Sequence, residues 1–331
     1  MVRALPKLYI ILAWILLIIG AIIALCFLAL NNANYEIGKD FDYNKTGQFG
    51  DYIGGVVGTV FALAGTILVF ASFVQQQHRN TIESFEKNYF EMLRVHEDIV
   101  REMTYEDKTS RDVFPLAIDH LRDYYISSLE ELKLLEKLLD VGEFDEDKDK
   151  PIFIQFYKER DIEVVAMFLS MGILYYGTEK FSLSLKEGDP LRIISEKVAE
   201  NIPNYGYEPM GNILGHYYRQ MYQAVNYILK TKWLKECERY DYVKLLRAQL
   251  SDYEQMMLYY NSMSVNGSSW RDAQSRTEIE KMSLIGRFCL IKNIPYHYDY
   301  FFRHPSKMYE EEKKVWKAKG KDFFENEVYV M

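Results

Sequence analysis

Two stretches of the chain carry no charged residue: positions 8–30 and positions 53–74. The first is 23 residues long. That is roughly 35 Å of helix at about 1.5 Å per residue, enough to cross the hydrocarbon core of a bilayer. The apolar region of a signal peptide runs to only about 7–15 residues, so the longer stretch reads as an uncleaved anchor. The second stretch is rich in small residues. Gly54, Gly58 and Ala62 recur every four positions, with Gly55 and Gly65 beside them. Such a stripe lets another backbone approach closely where hydrophobicity cannot hold helices together. It is expected to pack on the first span, or on a second copy of the chain in a homo-oligomer.

Beyond position 74 the pattern turns amphipathic. Neither Gly nor Pro interrupts residues 75–104, and Ile82, Phe85, Tyr89, Met92, Ile99 and Met103 recur at helical spacing with His96 on the same face. The second span is therefore expected to leave the bilayer and enter a soluble core as one helix. Further helices are predicted over 114–139, 152–174, 191–199, 213–233, 242–260 and 277–290, with a charged one over 308–318. The stretch 213–233 has the strongest stripe of the soluble part. Breaks at 142–151, 202–211 and 262–269 read as inter-helix loops. Few segments alternate with a period of two, so the predicted fold is all-α. It comprises an N-terminal two-helix transmembrane hairpin (residues 1–79) followed by a cytoplasmic helical bundle (residues 80–331).

Charge sets the orientation of that arrangement. Arg3 and Lys7 precede the first span, and His78, Arg79 and Lys87 follow the second. The connecting loop holds Glu36, Asp40, Asp42 and Asp51 against Lys39 and Lys45. Positive flanks stay in the cytoplasm, so both termini are expected there. The loop is too short to carry much folded structure, and its Asn44-Lys45-Thr46 matches a glycosylation acceptor that is common by chance. The net charge of −8 gives no extended nucleic-acid surface. Cys26, Cys237 and Cys289 are too few and too scattered for a disulfide framework or a zinc site, which fits a reducing compartment.

Candidate chemistry is sparse. The chain has no Walker loop, no Gly-rich dinucleotide turn, no HExxH and no serine elbow, and nothing calls for a cofactor or metal. Asp145, Asp147 and Asp149 alternate as in a calcium loop, but Lys150 and Phe156 stand where Gly and a bidentate Glu are needed. A solvated acidic loop is expected instead. Arg94, between Glu91 and Asp98, reads as a surface ion-pair residue, and His96 as either a core histidine or a catalytic group. His216 and Arg219 share a helix face, extended by Gln220 and Gln223. An imidazole and a cation there could hold a phosphate or assist proton transfer, or form a polar seam between helices. Arg247, Ser251, Glu254 and Asn261 make a similar stripe, with Arg247, Glu254 and Asn261 as candidate binding residues. The lysines from Lys313 to Lys321 around Trp316 could touch anionic lipid, although Glu310, Glu311 and Glu312 offset them.

Four segments, FEKNYFEMLRVHEDIV (85–100), GHYYRQMYQAVNYI (215–228), LLRAQLSDYEQMMLYYN (245–261) and IEKMSLIGRFCLIKNI (279–294), resemble in that order the phage abortive infection (AbiC-like) family. The resemblance covers most of the chain from about residue 50 onward. It implies a bacterial cell-membrane protein that defends its host against phage, by halting growth of the infected cell. Many abortive-infection toxins are all-α HEPN ribonucleases with an Arg, a polar residue and, after four to six positions, a His. No such spacing occurs here: His216 precedes Arg219, Arg94 and His96 are too close, and Arg287 and His297 too far apart. Three readings follow: a membrane-tethered sensor of a phage or host component, a membrane-tethered ribonuclease-like effector built on His216, Arg219 and His96, and a structural scaffold.

Overall fold

The computed structural model describes residues 5–31, 43–141, 155, 158, 160–201, 208–271, 282–295 and 298–325. Among them the chain is helical almost throughout, and the only strand pairing is an antiparallel hairpin of β1 (Thr104–Tyr105) with β2 (Lys108–Thr109). The all-α expectation therefore holds. The chain forms two compact units, Met1–Asn88 and Tyr89–Met331.

The first unit contains α1 (Leu5–Asn31) and a second helical run. That run starts as α2 (Tyr43–Tyr52), passes through a π-helical turn (Ile53–Val57) and continues as α3 (Gly58–Glu102). It begins ten residues earlier than the uncharged stretch, inside the segment expected to be a loop. Extending an existing helix costs far less than nucleating one, so the apolar helix carries its polar start along. Two helices, Lys7–Ala29 and Gly50–Glu102, are long and apolar enough to cross a membrane. Only 11% and 17% of their most apolar windows are buried. Trp14 and Leu25 on α1 and Val69 on α3 are each at least 61% exposed, the reverse of what a core helix shows.

These two helices meet along a seven-residue repeat. The buried positions are Ala13 and Gly20 on α1, and Val57, Ala64 and Ala71 on the second run. A Cβ on Gly20 would stand 3.0 Å from the Phe61 ring. Tyr9 sits edge-on to Phe70 at 5.3 Å, and Phe27 stacks on Tyr52 at 4.0 Å. Of the stripe of Gly54, Gly58 and Ala62, Gly54 and Ala62 are exposed, Gly58 is half-buried, and a Cβ on Gly54 would meet nothing within 4 Å. Ala13 with Gly20, and Ala64 with Ala71, are each seven residues apart, so small residues come to the contact every second turn. At the π turn the Gly58 amide donates to the Ile53 carbonyl five residues back, and the Thr59 hydroxyl donates to the Gly55 carbonyl. Such turns leave carbonyls short of partners, which a nearby hydroxyl supplies.

The second unit starts within α3, where Tyr89, Leu93, His96 and Val100 turn inward. A 3₁₀ turn (Ser110–Asp112) leads to α4 (Val113–Val141), which packs most extensively on α5 (Ile162–Tyr176) and also on α7 (Pro190–Asn201). α5 is buried almost all round, yet its 15 residues are too few to span a bilayer. Gly177, at φ 76°, separates α5 from α6 (Thr178–Ser184). Then follow α8 (Gly211–Lys230), α9 (Glu236–Arg247), α10 (Asp252–Ser262) and the short α11 (Ser268–Arg271), α12 (Leu284–Phe288) and α13 (Pro305–Met308). α14 (Glu310–Ala318) closes the unit, with the Trp316 indole N–H donating to the Gly286 carbonyl at 2.8 Å. On it Lys314 pairs with Glu310 and Glu311.

Three helix expectations change. The helix predicted over 242–260 is two helices, because Ser251 caps a fresh start. Of the helix predicted over 277–290 the described part is α12, which ends at Cys289 in a left-handed conformation at φ 49°. The helix predicted over 152–174 is broken before α5: Arg160 and Asp161 are not helical, and the Asp161 side chain accepts from the Glu163 and Val164 amides to start α5 at Ile162, while Gln155 and Lys158 are helical and the rest of 152–159 lies outside the described residues. The acidic segment 145–149 lies outside the described residues.

Candidate functional site

The start of α10 organises a buried polar cluster. The Ser251 hydroxyl accepts from the Glu254 amide at 3.2 Å, and the Glu254 carboxylate accepts from the Ser251 amide at 2.7 Å. This reciprocal pair satisfies two donors that a helix start otherwise leaves open. Glu254 has no exposed surface. Its carboxylate also accepts from Arg111 Nε and from the Tyr217 hydroxyl, each at 3.1 Å. Arg111 donates further to the Gln249 carbonyl at 2.8 Å. One carboxylate thus ties together the 3₁₀ turn, α8 and α10. Burial, then Glu254, raises the Tyr217 pKa well above its usual value, so it stays a neutral donor. His96 lies against the Tyr217 ring at 4.8 Å, and neither of its ring nitrogens has a hydrogen-bond partner. Burial, helped by Arg111, lowers its pKa to about 4, so it is neutral at neutral pH.

Beside this cluster a cavity of about 440 Å³ opens between the end of α5, the start of α8, the end of α10 and α11. Two glycines let its walls close. A Cβ on Gly211 would come within 2.3 Å of the Tyr175 carbonyl oxygen, so α8 can start against the end of α5, where the Met210 amide donates to the Leu174 carbonyl at 2.9 Å. A Cβ on Gly267 would come within 1.9 Å of the Asn261 carbonyl oxygen, which fixes the turn into α11. Tyr175, Tyr176, Tyr218, Tyr222 and Trp270 supply an aromatic lining. The Tyr175 hydroxyl donates to Asn261 Oδ1 at 2.8 Å, and Trp270 stands edge-on to Tyr222 at 5.4 Å. Arg219 and Gln223 line the same space from the exposed face of α8.

The residues singled out in the sequence fall in different settings. Arg219 and Asn261 share the cavity. His216 is exposed on α8, His96 is buried against Tyr217, and neither lines that cavity. Arg247 donates to the Phe288 and Cys289 carbonyls at 3.1 and 3.0 Å, holding the end of α12. It borders a second depression of about 660 Å³ with Lys244, Lys292 and Lys321, where Asp252, Asp322 and Glu325 offset the charge. Glu254 is consumed by its three donors. Of the proposed ribonuclease-like grouping, Arg219 lines the cavity described above and His96 and His216 do not. Arg94 pairs with Glu91 at 2.6 Å on the surface, as expected. Sequence reasoning missed Arg111, Tyr217 and Tyr218 as polar participants, and Tyr175, Tyr176 and Trp270 as cavity walls. The Ser251-x-x-Glu254 spacing could have revealed the cap. Among the described residues no three His, Cys, Asp or Glu side chains are placed to hold a metal ion.

Residues 210–297 match the family model described as "Putative phage abortive infection protein". No curated protein and no solved structure matches the chain. The matched segment begins one residue before α8 and takes in α8 to α12. It contains three of the four segments that carry the resemblance, and every cavity-lining residue named above except Tyr175 and Tyr176. The match points to a role in defence against phage.

Proposed function

We propose that this chain is a membrane-anchored bacterial defence protein whose second unit senses a phage or host component. The coincidence of the family match with the segment that builds the cavity carries this reading: the matched residues form a place where something small or protruding can be received. The two apolar helices support the anchor, because exposed Trp, Leu and Val along α1 and α3 suit lipid and not water. The basic flanks against the acidic connecting segment support an inner-membrane placement with both termini in the cytoplasm.

The test is expression in a phage-sensitive bacterium challenged with a phage panel. Plaque counts fall for at least one phage relative to an empty vector, and infected cells stop growing. Equal plaque counts for every phage, with and without the protein, would overturn the defence reading. A membrane-potential dye read during the arrest separates an active role of the spans from anchoring alone.

A further inference from the structure

The cavity holds donors without acceptors. The Tyr218 hydroxyl is buried and unpartnered, and burial raises its pKa well above the usual phenol value, so it remains a neutral donor. Asn261 is 1% exposed, its carboxamide oxygen is engaged by Tyr175, and its Nδ2 has no partner. Folded proteins leave few buried donors unmet, and two on the wall of one cavity mark a missing acceptor. One water, with its share of about 30 Å³, does not account for the space. The volume of about 440 Å³ falls within the range of small-molecule sites.

The remaining surfaces narrow the chemistry. Tyr176, Tyr222 and Trp270 offer an aromatic wall suited to a flat ring. Arg219 is exposed at the cavity and forms no ion pair with any described residue. Its guanidinium fork matches a phosphate or carboxylate. Asn212 and Gln223 add carboxamides around the opening, more paired donors and acceptors than a simple aromatic acid could engage, while the Asn266 carboxamide is bonded to the Tyr176 hydroxyl. Gly215 faces the same space, and a Cβ there would meet nothing within 4 Å.

We infer that the cavity binds a mononucleotide, with the base against the aromatic wall, its acceptors toward Tyr218 and Asn261, and the phosphate at Arg219. The inference rests on the cavity and not on the defence role.

The purified full chain in detergent is titrated with AMP, GMP, CMP and UMP, and separately with inorganic phosphate and the free nucleosides. At least one nucleotide binds, and binds more tightly than either of its parts. Arg219→Gln weakens it about tenfold by removing the charged fork. Tyr218→Phe weakens binding without lowering the melting temperature, because the lost hydroxyl has no partner in the unliganded fold. Gly215→Leu fills the cavity and abolishes binding, while helix propensity favours the folded variant. Three results would each overturn the inference: no nucleotide bound by the folded protein, phosphate alone binding as tightly as any nucleotide, or undiminished binding in both Arg219→Gln and Tyr218→Phe. Arg219 is exposed and the Tyr218 hydroxyl has no partner to lose, so these two variants together decide the matter even if Gly215→Leu does not fold.

Discussion

His96 is 1% exposed against Tyr217 with both ring nitrogens unbonded, a costly place for a charge. Its pKa is about 4 in the folded chain, against 6.5 as the reference for an unfolded one. Between those values the unfolded chain binds more protons. Stability therefore falls as pH drops through 6.5 toward 4, by up to about 1.4 kcal/mol per unit, and levels off below. His120, also buried and lowered to about 4, adds its own share. Urea midpoints between pH 7 and pH 4 should decline, and His96→Leu should flatten part of that decline. Equal slopes in the two proteins would remove His96 as the cause. In the sequence His96 stood on an apolar stripe and could be read as core or catalytic. The deciding facts are the Tyr217 ring and Arg111, which come from other parts of the chain. Glu254 was likewise visible as a polar residue, but its donors, Arg111 and Tyr217, lie 143 and 37 residues away.

Periodicity located the elements better than their ends. The stripes over 114–139 and 213–233 correspond to α4 and α8, because a long one-sided apolar face can be buried in only one way. The same signal misled over 242–260, where Leu245, Leu246, Leu250, Tyr253, Met256 and Met257 keep helical spacing across a real break. What breaks the helix is local: Ser251 turns extended, at ψ 167°, and caps α10. Ser251→Ala should cost about 0.5–2 kcal/mol, the usual loss for an N-cap, measured as a shift in the urea midpoint. Ser251→Asp, which keeps an acceptor, should lose less. If Ala and Asp behave alike, the hydroxyl is not what sets this helix start. The cavity was half legible for the same reason. Arg219, Gln223 and Asn261 sit on readable polar stripes, whereas its aromatic wall looked like ordinary core until α5 and α11 were brought beside α8.

At the scale of the whole molecule, the three cysteines report on where each part resides. Cys26 in α1 and Cys237 in α9 are both exposed, while Cys289 is buried and burial raises its pKa to about 11. Thiolate is the reactive form, so Cys289 should stay inert in the folded chain. If lipid surrounds α1, Cys26 is open in the protein yet shielded from any water-borne reagent, because the hydrocarbon core is about 30 Å thick and excludes ions. If the second unit is cytoplasmic, Cys237 faces the cell interior. A membrane-impermeant maleimide should then label nothing on intact spheroplasts and Cys237 alone on inverted vesicles. After denaturation in detergent it should label all three. Rapid labelling of Cys26 in intact vesicles would put α1 in water and remove the anchor. Labelling of Cys237 from the outside would keep the anchor but reverse it, and the cavity would then face the periplasm, where it could meet no cytoplasmic component. The same two exposed thiols thus separate the solvent of the apolar helix from the side on which the matched segment 210–297 works, because a charged reagent can reach each only through water.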